Sequence, residues 1–116
     1  MVDDDPTFRR LAERMLAACG LAVAGEADTV AAAMAAAGSL MPAAALVDIG
    51  LPDGDGISLA EALVALPWRP RVVLTSSDAE AATPGDVARC GAEAFVPKDQ
   101  LPNTALDDLL APRQAG

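Results

Sequence analysis

The stretch Ala43-Ala44-Ala45-Leu46-Val47-Asp48-Ile49-Gly50-Leu51-Pro52-Asp53-Gly54-Asp55-Gly56 decides how this chain folds. Its first half is an unbroken apolar run with Pro42 before it and Gly/Pro signals after it, the pattern of a buried strand. Its second half is a turn-forming segment. Asp48 stands at the junction. A carboxylate at the carboxyl end of such a strand lies at the mouth of an open α/β sheet, where ligands bind. Two further features match it. Asp3-Asp4-Asp5 precedes a helix, and Lys98 follows the short apolar run Ala94-Phe95-Val96. Acids with one cation opposite carry the chemistry of a metal-assisted phosphoryl site.

The flanking chain alternates helix and strand. Asp5 is placed to cap a helix with Pro6 in its first turn. Phe8, Leu11, Ala12, Met15, Leu16 and Cys19 then recur at helical spacing up to Gly20, with Arg9, Arg10, Glu13 and Arg14 on the other face. Leu21 to Ala24 reads as a short strand. Asp28 is the expected cap of a second, alanine-rich helix from Thr29 to Ala37. After the Asp48 strand and its Gly-rich turn, Ile57 to Leu66 is helical, ended by Pro67 and Pro70, and Trp68 between them packs at a loop. Arg71 to Thr75 is a strand by β-branched content. Thr83-Pro84 opens a helix to Cys90-Gly91, and Ala94 to Val96 forms the last strand. Asn103 or Thr104 caps a final helix reaching about Leu110, and residues 111–116 are a tail or the start of a linker. Such alternation argues for a parallel sheet with helices on both faces.

Composition narrows the function. A length of 116 residues implies one domain, and 53% hydrophobic with only 3% aromatic residues implies a core of Ala, Leu, Val and Met. A formal charge of −9 is the wrong sign for nucleic-acid contact and suits cations and basic partner surfaces. The absence of histidine removes His-based catalysis and His metal sites. Cys19 and Cys90, far apart and each followed by Gly, read as small buried residues of a reduced protein. No stretch has the length of a membrane span and no signal peptide is evident, so the expected location is the cytoplasm. Asp53-Gly54-Asp55-Gly56 resembles part of a calcium loop. Aligning Gly56 on that loop's invariant glycine puts Leu51 and Ala62 at its two obligatory ligand positions, so Asp53 and Asp55 are read as turn residues.

Four segments in order carry a resemblance over essentially the whole chain: Val2-Asp3-Asp4-Asp5-Pro6, Leu46 to Gly56, Val73-Leu74-Thr75-Ser76-Ser77, and Gly91-Ala92-Glu93-Ala94-Phe95-Val96-Pro97-Lys98. Together they resemble the response-regulator receiver domain of two-component signalling, with the domain at residues 1–110. The resemblance implies a flavodoxin-like, doubly wound, five-stranded parallel sheet of order 2-1-3-4-5. It implies that Asp48 is a phosphoacceptor, phosphorylated by a histidine kinase or phosphotransfer protein with Mg²⁺ as cofactor. Asp4 would ligate the metal directly and Asp3 mainly through water. Asp48 itself and the Gly50 carbonyl complete the protein ligands. Thr75 would donate its hydroxyl to a phosphoryl oxygen, Lys98 would pair with the phosphoryl group, and Phe95 fits the aromatic switch position. The only catalysis implied is self-phosphorylation and autodephosphorylation. The output would be a change in the face built by the fourth helix, last strand and final helix, with dimerisation on phosphorylation as one consequence.

Elementary chemistry supports these roles. A carboxylate attacking a phosphoryl group meets like-charge repulsion. Mg²⁺ accepts carboxylates, waters and phosphoryl oxygens, so acids alone make a suitable cradle. Phosphoryl transfer then needs mainly positioning and charge neutralisation. Lys98 is the only lysine beside seven arginines, and a compact ammonium on a flexible stem suits that task. Blander readings stand beside these: a solvated acidic terminus for Asp3 to Asp5, an ordinary strand residue for Thr75, a core residue for Phe95.

Several departures matter. Pro97 precedes Lys98, whereas many receivers place proline after the lysine; this order resembles the class with LuxR-type helix-turn-helix output domains, which act in transcription regulation. Only Met1 and Val2 precede Asp3, where receivers carry several apolar residues. A truncated first strand follows, with the natural protein expected to begin upstream and the α-amino group expected near the acids. The short first strand also favours a rival reading, a degenerate receiver serving as a constitutive interaction module. A third reading, an aspartyl-phosphate hydrolase of the haloacid dehalogenase type, wants a second acid where Gly50 stands.

Overall fold

The computed structural model describes residues 1–111, so the expected tail lies, beyond Ala111, outside the described residues. The chain runs α1 (Pro6–Ala18), α2 (Val30–Leu40), β1 (Ala44–Asp48), β2 (Gly50–Leu51), β3 (Gly54–Asp55), α3 (Gly56–Val64), β4 (Arg71–Ser76), α4 (Pro84–Cys90), β5 (Ala94–Pro97) and α5 (Leu106–Leu110), with a 3-10 segment over Lys98–Asn103. β1 pairs in parallel with β4, and β4 in parallel with β5. On the other side of β1 the sheet continues through single residues: Val2 bridges Val47, and Val2 also bridges Ala27. The Val2 N–H donates to the Leu46 carbonyl at 2.8 Å, and the Asp48 N–H donates to the Val2 carbonyl at 2.8 Å. The flavodoxin-like order 2-1-3-4-5 is therefore present, with its first two strands reduced to one bridging residue each.

Strand alternation sorts the core into two layers. Val47, Val72 and Leu74 pack with Ala33, Ala37, Leu59, Ala60 and Leu63 on one face. Leu46, Val73 and Val96 pack with Phe8, Ala12, Leu16, Leu101, Leu106 and Leu110 on the other. The centre of the sheet is dry; Val47, Val72, Val73 and Leu74 are 0% exposed.

Local caps explain the helices that start where expected. The Asp5 carboxylate accepts from the Thr7 N–H at 3.0 Å with Pro6 in the first turn of α1. Thr83 and Asp86 form a reciprocal capping box at α4, and Pro84 follows the cap. Asp55 opens α3 by accepting from the Ile57 N–H at 3.0 Å. The Trp68 indole donates to the Pro42 carbonyl at 3.0 Å, the loop packing expected of it.

Four expectations are corrected. Residues 21–24 form no strand, because Val2 gives the neighbouring backbone only one residue to pair with. Thr29, not Asp28, caps α2, which runs past Gly38 to end at Met41 in the left-handed conformation (φ 48). Neither Asn103 nor Thr104 caps the last helix; the Thr104 hydroxyl instead donates to the Gln100 carbonyl at 2.8 Å, and α5 follows Ala105. The α-amino group of Met1 donates to the Gly25 carbonyl at 3.1 Å rather than lying with the acids. Burial lowers its pKa, partly opposed by the charge of Glu26. Beside it an apolar groove of about 380 Å³ runs between Leu21, Val23, Gly25, Leu40 and Ala44. Among the described residues no helix is long and apolar enough to cross a membrane.

Candidate functional site

Four strand ends meet at one mouth of the sheet. β1 delivers Asp48, and the parallel register sets Thr75 of β4 beside it. Val2 delivers Asp3, whose N–H is pinned to the Ala27 carbonyl at 3.0 Å. β5 delivers Lys98, the first residue beyond Pro97. Carboxylate oxygens of Asp3, Asp4 and Asp48 lie within 4.8 Å of one another. The Lys98 ammonium is 2.8 Å from Asp3 Oδ2 and 4.0 Å from Asp48 Oδ2.

Burial differs sharply among these groups. Asp3 is 1% exposed, Asp48 7%, while Asp4 faces solvent and leaves the cluster open on its side. Asp3 Oδ1 accepts from the Asp5 N–H at 2.8 Å. Asp3 Oδ2 is sealed from solvent and, among the described residues, accepts no well-directed hydrogen bond, although Lys98 supplies opposite charge. Burial pushes the Asp48 carboxyl up, the neighbouring Asp3 charge adds to this, and Lys98 and the Gly50 N–H only partly offset it. Three converging carboxylates against one ammonium leave an excess of negative charge. Oxygen-only acidic donors are the set a hard divalent cation takes, so the cluster fits one. Gly50, two residues past Asp48, faces the same mouth through that N–H.

The Asp48 end of β1 is tightly confined. A Cβ on Gly56 would lie 2.2 Å from the Asp48 carbonyl oxygen and 2.6 Å from Ile49 Cα, so only glycine lets α3 start this close to the strand. The β2–β3 hairpin between them is tied outward by Asp53. Its carboxylate accepts from the Val30 N–H at 2.7 Å and the Ala31 N–H at 3.1 Å, and these bonds hold its pKa below the usual range. Asp53 is thus more than the turn residue expected: it caps α2 from another element.

Thr75 and Phe95 occupy different positions from the acids. Thr75 is buried and its hydroxyl donates to the Val96 carbonyl at 2.7 Å, not to Asp48. Phe95 is half-buried against the α2–α3–α4 layer and borders a shallow pocket with Ala82, Thr83, Pro84 and Val87. Two residues of α1 escaped the sequence reading. The Phe8 ring lies 4.1 Å from the Lys98 ammonium, measured to its centroid. The Arg9 guanidinium donates to the Asp3 carbonyl at 2.5 Å and pairs with Glu26 at 3.4 Å. Helical spacing marks Phe8 only as core and Arg9 only as surface, since neither contact is local in sequence.

The sequence matches the response regulator receiver domain family over residues 1–110. It is 39% identical over 101 residues to the DNA-binding transcriptional activator DevR/DosR of Mycobacterium tuberculosis, covering 85% of this chain and 46% of that protein. It is 34% identical over 124 residues to the transcriptional regulatory protein NarL of the same species, covering 98% of this chain and 57% of that protein. The chain thus spans about half the length of the curated relatives it matches. The solved receiver domain of NarL from Mycobacterium tuberculosis superposes with a TM-score of 0.77 at 32% identity, covering 92% of this chain and 87% of that one. A LuxR-family two-component response regulator from Aurantimonas sp. SI85-9A1 superposes at 0.81 with 23% identity, covering 91% and 76%, a likeness of fold. With these matches and the acid-lined mouth of its 2-1-3-4-5 sheet, the chain belongs to the response regulator receiver domain family.

Proposed function

We propose that the chain is a phosphoacceptor receiver in which Asp48 takes a phosphoryl group from a histidine kinase or phosphotransfer protein and thereby alters a protein-interaction surface. The observation that carries this reading is the buried Asp48 carboxylate, converging with Asp3 and Asp4 and 4.0 Å from Lys98. One Asp48 oxygen attacks phosphorus; the bond from phosphorus to the donor's nitrogen or oxygen breaks, and an aspartyl phosphate forms. Asp3, Asp4, Asp48 and the Gly50 carbonyl would hold Mg²⁺, which when bound neutralises charge on the phosphoryl oxygens. Asp3 keeps Lys98 beside the acceptor in the resting state, and Lys98 pairs with the incoming phosphoryl group. Thr75 must leave the Val96 carbonyl to reach a phosphoryl oxygen, exchanging a neutral acceptor for a charged one, typically the stronger bond. That exchange tugs on β5, which carries Phe95, and biases two states of the face formed by α4, β5 and α5.

The similarity to the DNA-binding transcriptional activator DevR/DosR makes a DNA-binding output domain the proposed partner of such a surface. The test is incubation with Mg²⁺ and acetyl phosphate, read by intact mass. One added phosphoryl group on the wild type and none on Asp48→Asn is the expected result. Unchanged labelling of Asp48→Asn would overturn the assignment.

A further inference from the structure

We propose that Phe8 is a positioning residue for Lys98, its ring face holding the ammonium beside the phosphoacceptor. The inference builds on the role given to Lys98 above. Lysine places a point charge on a long flexible stem, so its location depends on what surrounds the head group. Here the ammonium lies 2.8 Å from Asp3 Oδ2, 4.0 Å from Asp48 Oδ2 and 4.1 Å from the centroid of Phe8. Asp3 holds the ammonium by charge from one side, and the ring supplies a second, uncharged face against it. An aromatic face attracts a cation through its quadrupole, most strongly where water is scarce. Lys98 is 19% exposed in its side chain and Phe8 8% exposed overall, so water is scarce at this contact.

The ring is itself held in place. Phe8 packs in the layer with Leu46, Val73, Val96 and Leu101. The next residue, Arg9, donates to the Asp3 carbonyl, and Asp5 caps the same turn. One turn of α1 therefore fixes both groups that bracket the ammonium: the acid that pairs with it and the ring beneath it.

Because Lys98 is the only lysine, lysine labelled with ¹³C at Cε yields one methylene signal. The ring should shift that signal upfield of its position in an unfolded control, with Phe8→Tyr and Phe8→Trp keeping the shift and Phe8→Leu losing it. The rate of labelling by acetyl phosphate should fall roughly five- to thirtyfold in Phe8→Leu, the span from an exposed to a desolvated cation–π contact, and stay within about twofold in Phe8→Tyr. Phe8 is also core, so a fluorinated series at position 8 separates charge from packing: the ring keeps its place while its face loses negative potential. A stepwise fall in rate with fluorination is the expected result. A flat series, equal rates in Phe8→Leu and Phe8→Tyr, or an unshifted wild-type lysine signal would each overturn the proposal. Failure of the wild type to label at all would overturn the phosphoacceptor reading instead, and the lysine signal alone would then decide the ring's role.

Discussion

Asp48 sits where ionisation is opposed. Burial is the larger cause, the Asp3 charge the next, and Lys98 with the Gly50 N–H does not cancel them. An acid whose pKa is raised by folding stabilises the fold below its unfolded pKa and loses that contribution as pH rises through the folded value. Ionised Asp48 therefore strains the metal-free domain at neutral pH. In EDTA, Asp48→Asn should melt at a higher temperature than the wild type at pH 7. The gap should close as pH falls below the ordinary aspartate range, toward about 3, where the wild-type carboxyl is protonated in both states. A constant gap across that range would assign it to something other than charge. Asp3 is buried still more deeply but has Lys98 at 2.8 Å and the Asp5 N–H at 2.8 Å. Two carboxylates of one cluster thus differ in role: one is neutralised in place, the other left under electrostatic tension that a cation or a phosphoryl group can relieve.

At the scale of elements, the site depends on how closely α3 approaches β1. Gly56→Ala would place a methyl group 2.2 Å from the Asp48 carbonyl oxygen, and the backbone there cannot swing aside as a side chain does. The substitution should cost about 1–3 kcal/mol, the range for overpacking, and should slow phosphoryl labelling by shifting the strand end. A urea midpoint equal to the wild type's would mean that α3 relaxes freely. The same scale shows what was legible in the sequence. α1 and α4 were readable because their caps are local, Asp5-Pro6 and Thr83-Pro84 with Asp86. The alanine-rich α2 lacks a sharp apolar stripe, so its boundaries were misjudged. The strand expected at residues 21–24 failed for a non-local reason, the lack of a neighbour to pair with. Asp48 and Lys98 were readable because strand and turn signals placed each at a strand end, and Asp3 and Asp4 because they stand directly before the cap of α1. Asp53 bonding to Val30 and Ala31, Phe8 against Lys98, and Thr75 turned to Val96 were not readable, since each contact joins separate elements.

Across the whole molecule, 17 acidic residues face 8 basic ones. Near the site this repulsion acts on the amino-terminal segment that carries Asp3 and Asp4. That segment bonds to β1 through the backbone of Val2, while Met1 and Asp3 bond to residues 25 and 27, beside the apolar groove. A cation shared by Asp3, Asp4 and Asp48 would tie that segment to the end of β1 and relieve repulsion there. Binding to the folded state alone stabilises it by RT ln(1 + [L]/Kd), about 2.7 kcal/mol at a hundredfold excess over Kd. Mg²⁺ should therefore raise the urea midpoint more than NaCl of equal ionic strength, because screening reaches every surface charge while coordination acts at one point. It should also slow hydrogen exchange at the amides of Val2 and Asp3, which bond to Leu46 and Ala27 across the join. Asp4 is exposed, so Asp4→Ala should leave metal-free stability nearly unchanged and abolish the excess effect of Mg²⁺. Equal midpoints in the two salts would show that the acids respond to bulk screening alone, and that no cation joins the amino terminus to β1.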